Sequence, residues 1–251
     1  MADRSARVEG VLMAGFSGLR TSLAACWAAL LAAAALTVAA DFLPAVAGLL
    51  AGLIAVVVAQ GALFRHAFGR NSGFKGLWWG RDEWRLLGAH LMMLGLFLLI
   101  GSILLVVVAA IALGVARVSA PQLDAGTVEA WREAFASAGP AGWVAGLAPL
   151  AALAILVWLG LRLSFAAPAT VAESGVRVLS AFPLTKGKVP MLFVAAGAFA
   201  APVVVAAMLG VSPSSRLGAA VLAGLTYLFL APAWSGALAH LYRQSAVTQD
   251  A

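Results

Sequence analysis

Six stretches of this chain run for about 20 residues with scarcely a charge, and short basic segments divide them. An α-helix rises about 1.5 Å per residue, so roughly 20 apolar residues cross a hydrocarbon layer about 30 Å thick. Inside that layer every backbone N–H and C=O must be bonded internally, which a helix does alone. The stretches are 22–40, 45–64, 86–116, 141–161, 190–210 and 217–241. Asp41 ends the first and Pro44 precedes the second. The third is longer than one crossing requires, so it should tilt or project beyond the lipid. Composition agrees. The chain is 63% hydrophobic and 10% charged, against about 25% charged in a soluble globular protein. That balance excludes an ordinary soluble enzyme and a disordered chain. The expected fold is all-α: residues 1–251 form one integral membrane bundle of six transmembrane helices, with short interfacial helices.

The basic residues orient the bundle, because Lys and Arg accumulate on the cytoplasmic side. With the N-terminus inside, thirteen of the sixteen fall inside: Arg4, Arg7, Arg20, Arg65, Arg70, Lys75, Arg81, Arg85, Arg162, Arg177, Lys186, Lys188 and Arg243. Arg117, Arg132 and Arg216 fall outside. Both termini are therefore expected in the cytoplasm, and the net charge of +6 is explained by topology, not nucleic acid. The first apolar run is 19 residues long and starts about 20 residues in. A secretory signal core has roughly 7–15, so this run reads as a span and not as a cleaved leader.

The segments between spans carry the polar chemistry. Residues 8–19 place Val8, Val11, Leu12, Phe16 and Leu19 at helical spacing. They read either as an amphipathic helix on the interface or as an extension of span one. Residues 65–85 carry Arg65, Arg70, Lys75, Arg81 and Arg85 with Trp78, Trp79 and Trp84 between them. Indole rings favour headgroup depth, and cations there attract anionic lipid at about 1 kcal/mol each. These eight residues are the candidate lipid-headgroup interface. On the other side, Thr127 should cap a short helix with Val128, Trp131 and Phe135 on one face, stopped by Gly139-Pro140. In the segment from Arg162 to Val189, Pro168 should break or bend the end of span four. Glu173 should seek a cation among Arg162, Arg177 and Lys186; Arg177, four residues on, suits a helical pair. Leu184-Thr185-Lys186-Gly187 reads as a helix end and a turn into span five.

Those last residues carry a resemblance. Arg162-Leu163-Ser164, Pro168-Ala169, Glu173 and Phe182-Pro183-Leu184-Thr185-Lys186-Gly187 resemble the hallmark of the YciC-type bacterial membrane proteins. That group is similar to the membrane domain attached to some glycerophosphodiester phosphodiesterases. Gly80-Arg81-Asp82-Glu83-Trp84-Arg85 fits the same picture. Phe182-Pro183 stands where the family has an aromatic pair. The resemblance marks Arg162, Pro168, Glu173, Leu184, Thr185 and Gly187 as hallmark positions. It implies an inner-membrane location and a role with lipid or the envelope; it implies no reaction.

Catalytic groups are hard to find. The span centres hold no Asp, Glu, Lys, Arg or His, and ionisable residues at that depth usually mark transport or catalysis. His66, His90 and His240 all fall near the cytoplasmic side without paired ligand spacing, so neither metal nor cofactor is expected. Ser102 and Ser235 are intramembrane and should bond back to their own helices. Cys26 is a small buried hydrophobe. Gly48 and Gly52, and Gly142 and Gly146, stand at the spacing that lets helices approach. Pro149, Pro202 and Pro232 lie inside spans four, five and six. The expected function is a non-enzymatic, multi-pass inner-membrane protein that binds anionic lipid or a membrane-protein partner in envelope maintenance. The alternative is a permease for an apolar or lipid-like solute through spans four to six, lined by Ser102, Thr226, Tyr227 or Ser235.

Overall fold

The computed structural model of the chain describes residues 2–70, 73–120 and 127–249, with side chains placed from Val8 to Ser245 within those ranges. Arg4 and Arg7 therefore belong to helical backbone whose side chains lie outside the described set. The helices are α1 (Ala2–Ala40), α2 (Ala45–Ala67), α3 (Arg81–Ser119), α4 (Val128–Ser137), α5 (Pro140–Leu163), α6 (Ala166–Ala172), α7 (Val189–Met208), α8 (Arg216–Gly224) and α9 (Ala231–Gln249). A π-helical turn, Leu225–Leu230, joins the last two. Six runs are long and apolar enough to cross a membrane: Val8–Ala40, Ala45–Ala67, Arg81–Ser119, Pro140–Ala172, Val189–Met208 and Arg216–Ser245. The protein is an all-α, multi-pass membrane protein.

A helix long and apolar enough to cross a membrane corresponds to each expected stretch, and most are longer than their apolar cores. α1 runs unbroken from Ala2, so residues 8–19 extend span one and do not form a separate surface helix. α3 starts at Arg81, which draws Arg81, Trp84 and Arg85 out of the expected loop and into the helix. The reason is local: Glu83, in the third helical position, reaches back to the Gly80 N–H at 2.8 Å, half of a capping box. Asp82 and Glu83 also complement the positive end of the helix dipole. Pro168 acts as expected. α5 stops at Leu163, a turn follows, and the proline lies in the first turn of α6, where its missing N–H costs nothing.

The chain packs as two units, residues 1–92 with 161–251, and residues 93–160. In the first, α1 lies on α2 through Cys26, Ala29, Leu30 and Ala33 against Ala55, Ala59, Ala62 and Leu63. Alanines on both sides let the backbones close up. Cys26 is buried there, its thiol 3.5 Å from the Ala62 carbonyl. α1 also packs on span six. A Cβ on Gly18 would stand 2.7 Å from Gly236 Cα, so glycine is required for that approach. Thr37 Oγ1 donates to Tyr227 Oη at 3.0 Å. Proline 232 explains the π turn before it. It has no N–H and would clash with the Leu228 carbonyl in a regular helix, and the wider turn relieves that conflict. The expected Gly48/Gly52 and Gly142/Gly146 pairs need correcting. Gly48 and Gly142 meet carbonyls of adjoining turns, at Ala40 and Phe135, while Gly52 and Gly146 face open space. They are turn contacts, not helix seams.

In the second unit α4 forms as expected. Thr127 Oγ1 accepts from the Ala130 N–H at 3.3 Å, and the Trp131 and Phe135 rings lie 5.6 Å apart. Ser119 Oγ donates to the Ala134 carbonyl at 3.0 Å, which fastens α4 to the end of α3. Leu98, Ile103, Leu105 and Val106 are exposed along the apolar surface of α3.

Two substitutions separate packing from propensity. Gly18→Ala forces backbone apart and should cost about 1–3 kcal/mol. Gly52→Ala meets nothing within 4 Å and should be neutral or stabilising by up to about 1 kcal/mol. Unfolding midpoints in detergent check both.

Candidate functional site

The polar groups of the first unit gather where α2 ends and α3 and α6 meet its connecting loop. At the centre is an ion pair between Arg65 and Glu83, with side chains 5% and 1% exposed. Two burdens follow from such burial. Both charges lose water, and their remaining donors and acceptors need partners. The loop supplies two of them: Arg65 Nη2 donates to the Gly76 carbonyl at 3.0 Å, and Glu83 Oε2 accepts from the Gly80 N–H, while Arg65 Nε stays buried without a hydrogen-bond partner among the described residues. Gly61 leaves the room, because a Cβ there would collide with the Glu83 carboxylate. The pair thus pins residues 76–83 onto α2.

Arg70 makes the second fastening. Its guanidinium donates to the Val171 and Ala172 carbonyls at 3.0 Å each, and to Ser174 Oγ at 3.2 Å. These are free carbonyls at the C-terminal end of α6, where a cation is also favoured by the helix dipole. Ser174 adopts φ 53° in the position where such helix ends usually carry glycine. The bond to Arg70 ties this strained residue to the other basic segment. The two segments singled out separately in the sequence therefore meet.

Between them is an open cleft of about 490 Å³ lined by Arg65, Arg70, Trp78, Arg81, Arg85 and Ser174, with Asp82 and Glu83 on its α3 wall. The charges differ in their commitments. Arg65 is paired with Glu83, and Arg85 Nη1 lies 3.2 Å from Asp82. Arg81 is exposed and has no protein partner among the described residues. Trp78 and Trp84 are 53% and 63% exposed. Trp79 stacks edge-on against Trp84 with centroids 5.4 Å apart. Phe74, also exposed, meets Trp27 of span one at 5.9 Å. Lys75 stands apart from this cleft. It lines a neighbouring one of about 390 Å³ with Arg65, Cys26, Gly73 and Gly76.

The hallmark residues serve two local structures. Arg162 lies over the Phe182 ring at 4.1 Å. Buried Thr185 donates to the Arg162 and Phe182 carbonyls at 3.1 and 2.9 Å. Leu184 is half-buried, and Gly187 takes φ 76° in the turn into α7, as its place in the sequence requires. Glu173 pairs with Arg177 at 2.9 Å, the expected partner, and accepts from Tyr242 Oη at 2.8 Å. Pro168 is buried in α6. Tyr242, Ser174 and Glu83 are additions to the sequence reading. Of these only Glu83 had a local signal, its third place after a glycine at a helix start. Lys188 donates to Ser245 Oγ and lies 5.7 Å from the Phe165 centroid; burial holds its pKa below the ordinary lysine value.

The histidines divide. His90 is bonded to the Leu86 carbonyl at 2.8 Å, while His66 and His240 line one cleft. Among the described residues no three His, Cys, Asp or Glu side chains are grouped to hold a metal. Ser102 bonds back to the Leu99 carbonyl at 2.8 Å, as expected; Ser235 is buried but makes no such bond among the described residues. No family model, no curated protein and no solved structure matches the chain.

Removing one partner of the central pair leaves a buried charge uncompensated, at about 3–5 kcal/mol. Glu83→Ala and Arg65→Ala should each lower stability by that order. Replacing both by methionine should recover most of the loss. Unfolding in mixed micelles measures it; equal losses in single and double variants would contradict the pairing.

Proposed function

We propose that this protein is a non-enzymatic lipid-binding protein of the bacterial inner membrane, with its basic end in the cytoplasm and a role in envelope maintenance. The observation that carries the reading is the arginine- and tryptophan-lined cleft, in which Arg81 is uncommitted beside an exposed Trp78. A phospholipid phosphate has the charge for the first and accepts the indole N–H of the second. Arg70 lines the same cleft and adds positive field, while Arg65, compensated by Glu83, holds its wall. Exposed Phe74, Trp78 and Trp84 are the side chains expected at headgroup level. We extend the reading to membership of the YciC-type group on the strength of the Arg162–Gly187 segment, where Arg162, Thr185 and Gly187 each have a definite local role. A membrane-protein partner on the same face is compatible with this function.

The permease reading has less support. Of its lining residues, Tyr227 is occupied in a bond with Thr37 inside the α1–α2 core, and Ser102 is bonded to its own helix.

Native mass spectrometry on protein released gently from its membrane tests the proposal. The wild type should retain anionic phospholipid. Arg81→Gln/Arg85→Gln should lose most of it while keeping its unfolding midpoint. Equal retention by both proteins, or no lipid on either, would overturn the reading and make transport assays the next step.

A further inference from the structure

A second cleft lies on the opposite side of α2. Arg65 turns toward Glu83, while His66, the next residue, faces a cavity of about 460 Å³ bounded by α1, α2 and α9. Its polar lining is His66, His240, Arg243, Ser17, Thr21 and Ser22, joined by Gln244. No acidic side chain lines it. Every ionisable group facing the cavity is therefore cationic or able to become so, which is the lining of an anion site.

The donors are arranged for use. Arg243 Nε donates to the Ala239 carbonyl of its own helix at 3.3 Å, which leaves the two terminal nitrogens of an exposed guanidinium available. Ser22 is buried, and its hydroxyl bonds to no protein group among the described residues. Gln244 Nε2 lies 2.9 Å from His240 Nε2. An amide nitrogen only donates, so the ring accepts there and carries its proton on Nδ1. Ser17 and Thr21 donate to carbonyls of α1, so their lone pairs remain to accept from a ligand hydroxyl or water. The walls are fixed by the contact of Gly18 with Gly236, both of which line the cavity. Leu63, Ala14 and Ala67 supply apolar lining.

We propose that this cleft is a second binding site, separate from the arginine–tryptophan cleft, that takes a phosphomonoester group. A phosphomonoester carries about −1.5 to −2 charges near pH 7 and three acceptor oxygens. Its three terminal oxygens give one arginine, two histidine rings and a free hydroxyl more acceptors than the two terminal oxygens of a diester do. The group could arrive on a phosphatidic-acid-type lipid, for which the apolar lining has room, or as free phosphate.

The test uses the full chain in nanodiscs of zwitterionic lipid. Binding of short-chain phosphatidic acid, short-chain phosphatidylglycerol and inorganic phosphate is titrated by calorimetry at one pH. The phosphomonoester lipid should bind saturably and more tightly than the diester. With the first cleft silenced by Arg81→Gln/Arg85→Gln in every sample, Arg243→Gln should weaken it about tenfold or more, the scale of a lost charge-assisted bond. Because Arg243 is exposed, an unaltered unfolding midpoint shows that the variant is folded; Ser22→Ala offers a second, smaller loss. Saturable binding of inorganic phosphate alone, with the same Arg243 dependence, supports the site and identifies free phosphate as the ligand. No saturable binding of either monoester once the first cleft is silenced, or binding there that Arg243→Gln does not weaken, overturns it.

Discussion

A guanidinium and a carboxylate taken out of water at the end of a membrane helix must find each other and satisfy their remaining atoms, or the chain does not close there. The Arg65–Glu83 pair meets most of that demand through the loop between α2 and α3, with Arg65 Nε left unbonded among the described residues. Gly76 gives a carbonyl to the arginine, Gly80 gives an N–H to the glutamate, and Gly61 leaves space for the carboxylate. In the low dielectric of such a site the alternative to pairing is an isolated buried charge, so the arrangement is specified more strongly than apolar packing alone would specify it.

The rest of the basic end depends on this fixation. With residues 76–83 held to α2, Trp78 and Arg81 stand at the mouth of one cleft, and Arg70 reaches the last carbonyls of α6. Arg70 holds the Arg162–Gly187 segment by two main-chain carbonyls of α6 and by Ser174 Oγ, and Tyr242 adds a bond to Glu173. On the other face of α2, the same helix end presents His66 to the cavity beside α9. Adjacent residues thus serve two clefts because successive side chains on a helix diverge by about 100°.

Much of this was legible from local pattern. Span positions follow from unbroken apolar length, the α4 start from Thr127, the break after α5 from Pro168, the turn before α7 from Gly187, and the Glu173–Arg177 bond from four-residue spacing. What local pattern does not contain is which charges are buried. Glu83 stands in Arg81-Asp82-Glu83-Trp84-Arg85 among residues of similar polarity; its place at the helix start accounts for the bond to Gly80, but only its distant partner Arg65 accounts for its burial. Tyr242 and Arg70 find Glu173 and α6 across 69 and about 100 residues. The Gly18–Gly236 seam joins helices at opposite ends of the chain, so no spacing within one span discloses it. Continuity of α1 through residues 8–19 is decided by that seam, since the apolar positions suit either a surface or a buried helix.

The buried pair organises the loop from which the arginine–tryptophan cleft is built. Hydrogen–deuterium exchange over residues 73–83, in wild type and Glu83→Gln in nanodiscs, tests it most directly. The expected result is slow exchange at the amides of Leu77 and Gly80 in the wild type, whose N–H groups bond to Phe74 and Glu83, and fast exchange at Gly80 and through the loop in the variant. The amides of α2 should stay protected in both. Equal exchange in the two proteins would contradict the claim, and the loop would then owe its shape to the membrane or to its own turns.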